Sequence, residues 1–364
     1  MPRILKEVIG STCLALGDRS EKQAKYPARR RVCAMNVIKG FKLYRKWWKT
    51  WGTLPVLAWI RAAQHYKAAE FARAVPLYRD GLAKNGHHPA RTCARLDLAF
   101  CLFKIGKLTE AEQELRLAVQ QSPDSREAQL RLAQFQIWIG QPLEAAWTMR
   151  RALKVLPTDA DLAATFVLAT IDGGGAAYLL KEAAQHLRAA EELPNQSERG
   201  KRKLAVAKAR LHIERGEFDE GRERLYKLTC EGPTSLEAVL AFSELLIEEG
   251  KVPFARQQLR RGLMVAPNHP RILSLLSESY LRAGQFHSPQ YALQLATNAC
   301  QFGNWSSPRE LHVLAEAFYS VGDKMTALLM ASKAKQVGSR MMGNYRKSRS
   351  LNDLIEHLSV GSLA

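Results

Sequence analysis

The residues in this chain whose types could do chemistry are its cysteines, its histidines and one glycine-rich run, and their spacing decides against each. The six cysteines, Cys13, Cys33, Cys93, Cys101, Cys230 and Cys300, form no CxxC pair and join no histidine at zinc-ligand spacing. Isolated cysteines suit a reducing compartment, where the thiol behaves as a small apolar core group. His87 and His88 stand together before Pro89 but lack a third ligand nearby. Asp172-Gly173-Gly174-Gly175 has the glycine content of a phosphate cradle, yet no Gly-Lys-Ser/Thr follows and no strand pattern precedes it. It reads as a loop between helices. No GxSxG or HExxH occurs. The expectation is therefore no catalytic residue, no metal ligand, no cofactor and no small-molecule substrate: not an enzyme.

Charge supplies the first outward-facing signal. The 364 residues carry 54 Lys+Arg against 35 Asp+Glu, a net charge of +19. Residues 1–52 hold 13 of the basic residues and three acids, and Lys324 to Asn352 hold seven basic residues and no acid. The middle is nearly balanced. A protein that wraps nucleic acid along its length needs cations along its length, so the split disfavours nucleic acid as the partner. It favours local contact with an anionic protein or membrane surface.

One basic stretch is also amphipathic. At 100° per residue, Val37, Phe41, Tyr44, Trp48 and Trp51 share one arc of roughly 80°, with Trp47 at its flank. Lys39, Lys42, Arg45, Lys46 and Lys49 take the opposite side. Tryptophans on the apolar face of a basic helix suit an interfacial membrane anchor over residues 36–51. The same helix could instead cap whatever follows it, with its rings packed inward. No run reaches the ~20 apolar residues a spanning helix needs, and no signal peptide is evident. The expected place is the cytoplasm, with peripheral contact at the inner membrane face.

The elements that position these groups follow from self-similarity. Gly106, Ala111, Leu115, Ala118 and Pro123 return 34 residues later as Gly140, Ala145, Met149, Ala152 and Pro157. Gly216, Gly221, Leu225 and Pro233 return as Gly250, Ala255, Leu259 and Pro267, and Gly284 lies 34 further on. Small residues (Ala99, Ala133, Ala209, Ala315) mark where a second helix crosses the first closely. Glycine ends the first helix of each unit and proline the second. Between them, apolar residues recur at helical period.

This pattern resembles the tetratricopeptide repeat (TPR) family, whose unit is a helix–turn–helix of 34 residues. The resemblance implies an all-α superhelical solenoid of about eight units over residues 53–338. First helices should begin near Pro55, Thr92, Arg126, Ala160, Arg202, Leu236, Pro270 and Pro308, the fourth unit being degenerate. Residues 1–52 form a basic N-terminal segment and residues 339–364 a capping helix and tail. In this family the first helix of each unit lines a concave groove that holds a partner's peptide segment. Carried over, the lining is Trp59, Tyr66, Leu96, Phe100, Phe103, Leu130, Gln134 and Trp138, then Arg210, Glu244, Glu278 and Glu316. The front half is aromatic and apolar, which suits bulky anchors, although the same aromatics would equally serve as core between repeats. The Lys and Asn clamp of the chaperone-tail-binding members is absent. The function expected is a non-catalytic adaptor or scaffold binding another protein or peptide, docked on a membrane through residues 36–51. The alternatives are an RNA-binding helical-repeat protein and a regulatory subunit of an envelope-polysaccharide or secretion assembly.

Overall fold

The structure, a computed structural model, describes residues 54–84, 90–193, 197–230, 235–340 and 345–360. Two compact units divide at Leu57/Ala58, and of the first only residues 54–57 are described. Among the described residues there are 17 helices and no strand. Eight first helices alternate with eight second helices. The first four pairs are α1 (Leu54–Lys67) and α2 (Phe71–Lys84), α3 (Arg91–Lys104) and α4 (Leu108–Gln121), α5 (Arg126–Trp138) and α6 (Pro142–Val155), and α7 (Ala160–Asp172) and α8 (Ala177–Glu191). The next four are α9 (Glu198–Glu214) and α10 (Phe218–Cys230), α11 (Leu236–Glu248) and α12 (Val252–Val265), α13 (Pro270–Leu281) and α14 (Pro289–Phe302), and α15 (Pro308–Val321) and α16 (Lys324–Ser339). A final helix, α17 (Ser348–Val360), packs on α16.

The sequence shows why each pair forms. Four first helices open on a side-chain cap: Ser125, Asp159, Ser197 and Ser235 each accept a hydrogen bond from the backbone N–H three residues on. Such a cap satisfies one of the orphan donors at a helix start and is worth about 1 kcal/mol. Helices α6, α12, α13, α14 and α15 instead carry proline in their first turn, where its missing N–H costs nothing. The first-helix alanines, Ala99, Ala133, Ala209 and Ala315, are no more than 1% exposed, and the second-helix residues twelve positions on, Ala111, Ala145, Gly221 and Ala327, are buried as well. Each of these crossings thus sets small residues against each other, which lets the backbones approach; at Gly221 a Cβ would come within 2.9 Å of the Ala209 carbonyl oxygen.

The core runs along the array, because no pair can bury its apolar face alone. The fourth unit departs from the sequence pattern yet forms a complete pair. Its Leu162, Phe166, Val167, Leu179 and Leu187 are all at most 2% exposed. Burying one such side chain stabilises by roughly 1.5–3 kcal/mol, which outweighs a missing consensus residue. The fifth unit starts at Glu198, four residues before the expected Arg202, because Ser197 caps it there.

The array also folds back on itself. The Asn304 amide donates to the Phe103 carbonyl oxygen at 3.2 Å, across 201 residues. The Trp138 ring lies 5.5 Å from His269. A Cβ built on Gly140 would sit 2.9 Å from Pro308 Cδ and 3.0 Å from Ser307 Cα. The ends of α3 and α5 therefore meet the loops that lead into α13 and α15, closing a seam between the second and third units and the seventh and eighth.

Candidate interaction groove

The front half of the first-helix face is built from rings. Tyr66, Phe71 and Phe100 contact one another at centroid distances of 5.4–6.0 Å. Phe103 stands edge-on to Phe135 and Trp138 at 5.8 and 5.5 Å. The Lys104 ammonium lies 5.4 Å from the Phe100 ring and 5.7 Å from Phe103, within cation–π range. Of the expected lining, Trp59, Leu96, Phe103 and Leu130 are buried in the core and offer almost no surface. The Trp59 indole lies over Gly81, where a Cβ would come within 2.3 Å of it. Tyr66, Phe100 and Trp138 are half-buried, and Gln134 is exposed. The reason is the side-by-side packing of successive first helices, in which a ring on one helix covers the flank of the next. Phe41, Tyr44, Trp47, Trp48, Trp51, Lys39, Lys42, Lys46 and Lys49 lie outside the described residues, as do His87 and His88.

The rear half is built from charge. Asp172, at the end of α7, binds Arg210 of α9 at 2.7 Å and Arg271 of α13 at 2.9 Å. Glu244 of α11 binds Arg271 at 3.0 Å and also pairs with Arg309 of α15. Five side chains from five different first helices thus form one ionic network, each no more than 21% exposed. Burial alone would raise both carboxylates. The guanidinium groups override it: Arg210 and Arg271 hold Asp172 well below the usual range, and Arg309, Arg271 and Arg210 do the same for Glu244.

Beyond the network the wall is acidic. Glu278, 7% exposed, receives Lys347 at 2.8 Å and Arg282 at 3.2 Å. Burial would raise its carboxyl, but Lys347 and Arg309 hold it low. Glu316 lacks such a partner, and burial together with neighbouring Glu278 pushes it up to about 7. His312 lies 3.6 Å from Glu316, yet burial and Lys347 push the imidazole down to about 4, so it is neutral near pH 7. Arg210, Glu244, Glu278 and Glu316 recur on successive first helices, as their spacing predicts. Their partners Asp172, Arg271, Arg309 and Lys347 escaped sequence reasoning. One signal existed: Arg271 and Arg309 both follow a helix-opening proline, Pro270 and Pro308.

A His–Glu–Glu triplet lies at the α9–α10 turn, where His212 pairs with Glu217 and approaches Glu220 at 3.5 Å. The first unit repeats the pairing as His65–Glu70 at 2.6 Å with no third acid at the triplet's position. Recurrence of the pair without the third group makes it a staple across the inter-helix turn.

No curated protein matches the chain. Among solved structures, a chain of the APC/C hetero-tetramer Cut9-Hcn1 superposes with a TM-score of 0.60 at 13% identity, covering 84% of this chain. This chain spans 64% of that one's length. A monomeric mutant of IFIT1 with m7Gppp-AAAA gives 0.52 at 15% identity, covering 83% of this chain and 72% of its own. At such identities the likeness establishes the fold. The family model described as "Tetratricopeptide repeat" matches residues 106–165 and 212–279. Those two stretches match tetratricopeptide repeats, and the helix pairs around them continue the same fold, that of a TPR-type solenoid.

Proposed function

We propose that the protein is a non-catalytic adaptor that holds a segment of a partner protein against the concave face made by its first helices. The observation that carries this reading is convergence. Side chains from α7, α9, α11, α13 and α15, spread over more than 130 residues, meet on one face. No single helix pair needs them for its own core. In front of them Tyr66, Phe100 and Trp138 are half-exposed rings beside exposed Gln134, a mixture suited to anchoring an apolar side chain and its backbone. The carboxylates of the rear wall would repel a phosphate backbone, which weighs against RNA as the partner.

The test is site-specific photo-crosslinking in cells. A photoreactive residue at Gln134 should capture a defined protein partner, while the same group at Met264, 85% exposed on α12, should not. Equal capture from both positions would remove the groove from the proposal. Replacing Phe100 or Trp138 by alanine is a poorer test, because both rings also pack on neighbours.

Residues 36–51 motivate a second element of the proposal, that the adaptor sits on the cytoplasmic face of a membrane. No described helix is long and apolar enough to cross one. The full chain should sediment with vesicles containing anionic lipid, lose this when begun at Leu54, and release as salt screens its cations. Sedimentation that survives removal of residues 1–53 would defeat this assignment.

A further inference from the structure

Three consecutive residues ahead of α17 each contact a different first helix. The Tyr345 hydroxyl lies 3.0 Å from His312 Nδ1, and the two rings stand edge to face at 5.9 Å. The Arg346 guanidinium donates to Glu214 at 3.0 Å, across 132 residues. The Lys347 ammonium donates to Glu278 at 2.8 Å. Their partners lie on α15, α9 and α13, in the eighth, fifth and seventh units. A turn that only linked α16 to its capping helix would have no need to reach the fifth unit. The cap already has its own apolar contacts, through buried Leu351 and Leu358.

The charges make the contact specific. Four carboxylates form this part of the wall: Glu214, Glu248, Glu278 and Glu316. Without Arg346 and Lys347, and with His312 neutral, only Arg282 among the described residues stays within ion-pair distance of any of them. Glu248 has no ion-pair partner among the described residues; burial and the neighbouring Glu244 push its carboxyl up, and the charges of Arg346 and Lys347 work against that rise. An aromatic ring beside an imidazole, then a cation for each of two carboxylates, satisfies the wall. Arg346 is 50% exposed and Lys347 37% exposed, so solvent reaches both ion pairs, whereas the Tyr345 ring packs on the core around Leu311 and Leu351.

We propose that this acidic wall is the seat for a basic segment of the partner protein, an aromatic residue followed by two cations, and that Tyr345-Arg346-Lys347 occupies the seat in competition with it. The inference rests on the adaptor reading and adds the chemistry of the partner and a built-in competitor. Binding would then exchange an intramolecular pair of salt bridges for intermolecular ones, so the chain's own segment sets the threshold a partner must exceed.

The experiment uses the full chain and a fluorescent peptide copying residues 341–349, followed by anisotropy. The double variant Arg346→Ser/Lys347→Ser should bind the peptide at least ~10-fold more tightly than the unaltered chain, the scale expected for freeing charged partners. Adding Glu278→Gln to the double variant should lose that gain, and a peptide with serine at both basic positions should not bind. Should the double variant fail to fold, as judged by circular dichroism, Arg346→Gln alone frees Glu214 and should give about a threefold gain. Absence of binding by a folded variant, or binding indifferent to Glu278→Gln, overturns the seat. If that happens while Gln134 still crosslinks its partner, only this inference falls. If crosslinking at Gln134 fails as well, the adaptor reading falls and takes this inference with it.

Discussion

Glu244→Ala should cost about 3–5 kcal/mol of folding stability, the range for removing one partner of a buried ion pair. The expectation rests on what is left behind. Arg309 has Glu244 as its one ion-pair partner among the described residues, and Arg271 keeps only Asp172. Two guanidinium groups, 21% and 19% exposed, would then carry charge in a poorly solvated interior with one carboxylate fewer. Urea unfolding of the two proteins measures the difference directly. Replacing both members of one pair, Glu244→Leu with Arg309→Met, should recover part of the loss, since it removes charge together with countercharge. A single-variant loss below about 1 kcal/mol would mean that the network behaves as a surface pair.

The same network sets the acid limb of stability. Asp172 and Glu244 have depressed pKa values in the folded chain, while in the unfolded chain they return to about 3.9 and 4.3. Between the two states the unfolded chain binds protons first, so the stabilisation is complete above about pH 5 and drains away as pH falls. Glu244→Ala should therefore show a flatter decline below that pH than the unaltered chain.

Gly140→Ala should cost about 2–5 kcal/mol, whereas the same change at Gly216 should cost only about 1–2 kcal/mol. Both glycines end a first helix at positive φ, +79° and +84°, so both pay for placing a Cβ in the left-handed region. They differ in what surrounds them. Nothing lies within 4 Å of a Cβ at Gly216, while at Gly140 it would press on the backbone of Ser307 and the ring of Pro308. Neither can swing aside as a flexible side-chain tip could, so the seam must part. Thermal melts of the two variants test this as a difference. Equal losses would mean that the seam yields without resistance.

How far the sequence reached depends on whether the cause of a feature is local. The glycines at 106, 140, 216 and 250 and the alanines 34 residues apart announce the units because their reasons, a left-handed turn and a close crossing, lie inside each unit. Ser197 could have corrected the start of the fifth unit, being an N-cap residue directly before the helix. The groove was harder. Phe103 and Gln134 carry the same first-helix logic, yet one is buried and the other exposed, because neighbouring first helices cover one flank and leave the next open. The partners of Glu244 were illegible for a different reason. Arg309 comes from 65 residues away, and that approach depends on how tightly the array coils. Tyr345, Arg346 and Lys347 read as part of a terminal cap, since nothing in their spacing reveals that they reach the fifth unit.

The closure at Phe103–Asn304 and Trp138–His269 changes how such an array must come apart. An open stack of repeats is nearly one-dimensional: each unit feels its neighbours only, and the ends can fray while the middle stays folded. Here the second and third units lean on the seventh and eighth, so losing either end exposes surface on the other. The chain is linear in sequence but a ring in its energetics. Its unfolding should therefore be more cooperative than that of an open stack, and the seam itself can form only once residues some 200 apart in sequence have met, which slows the search.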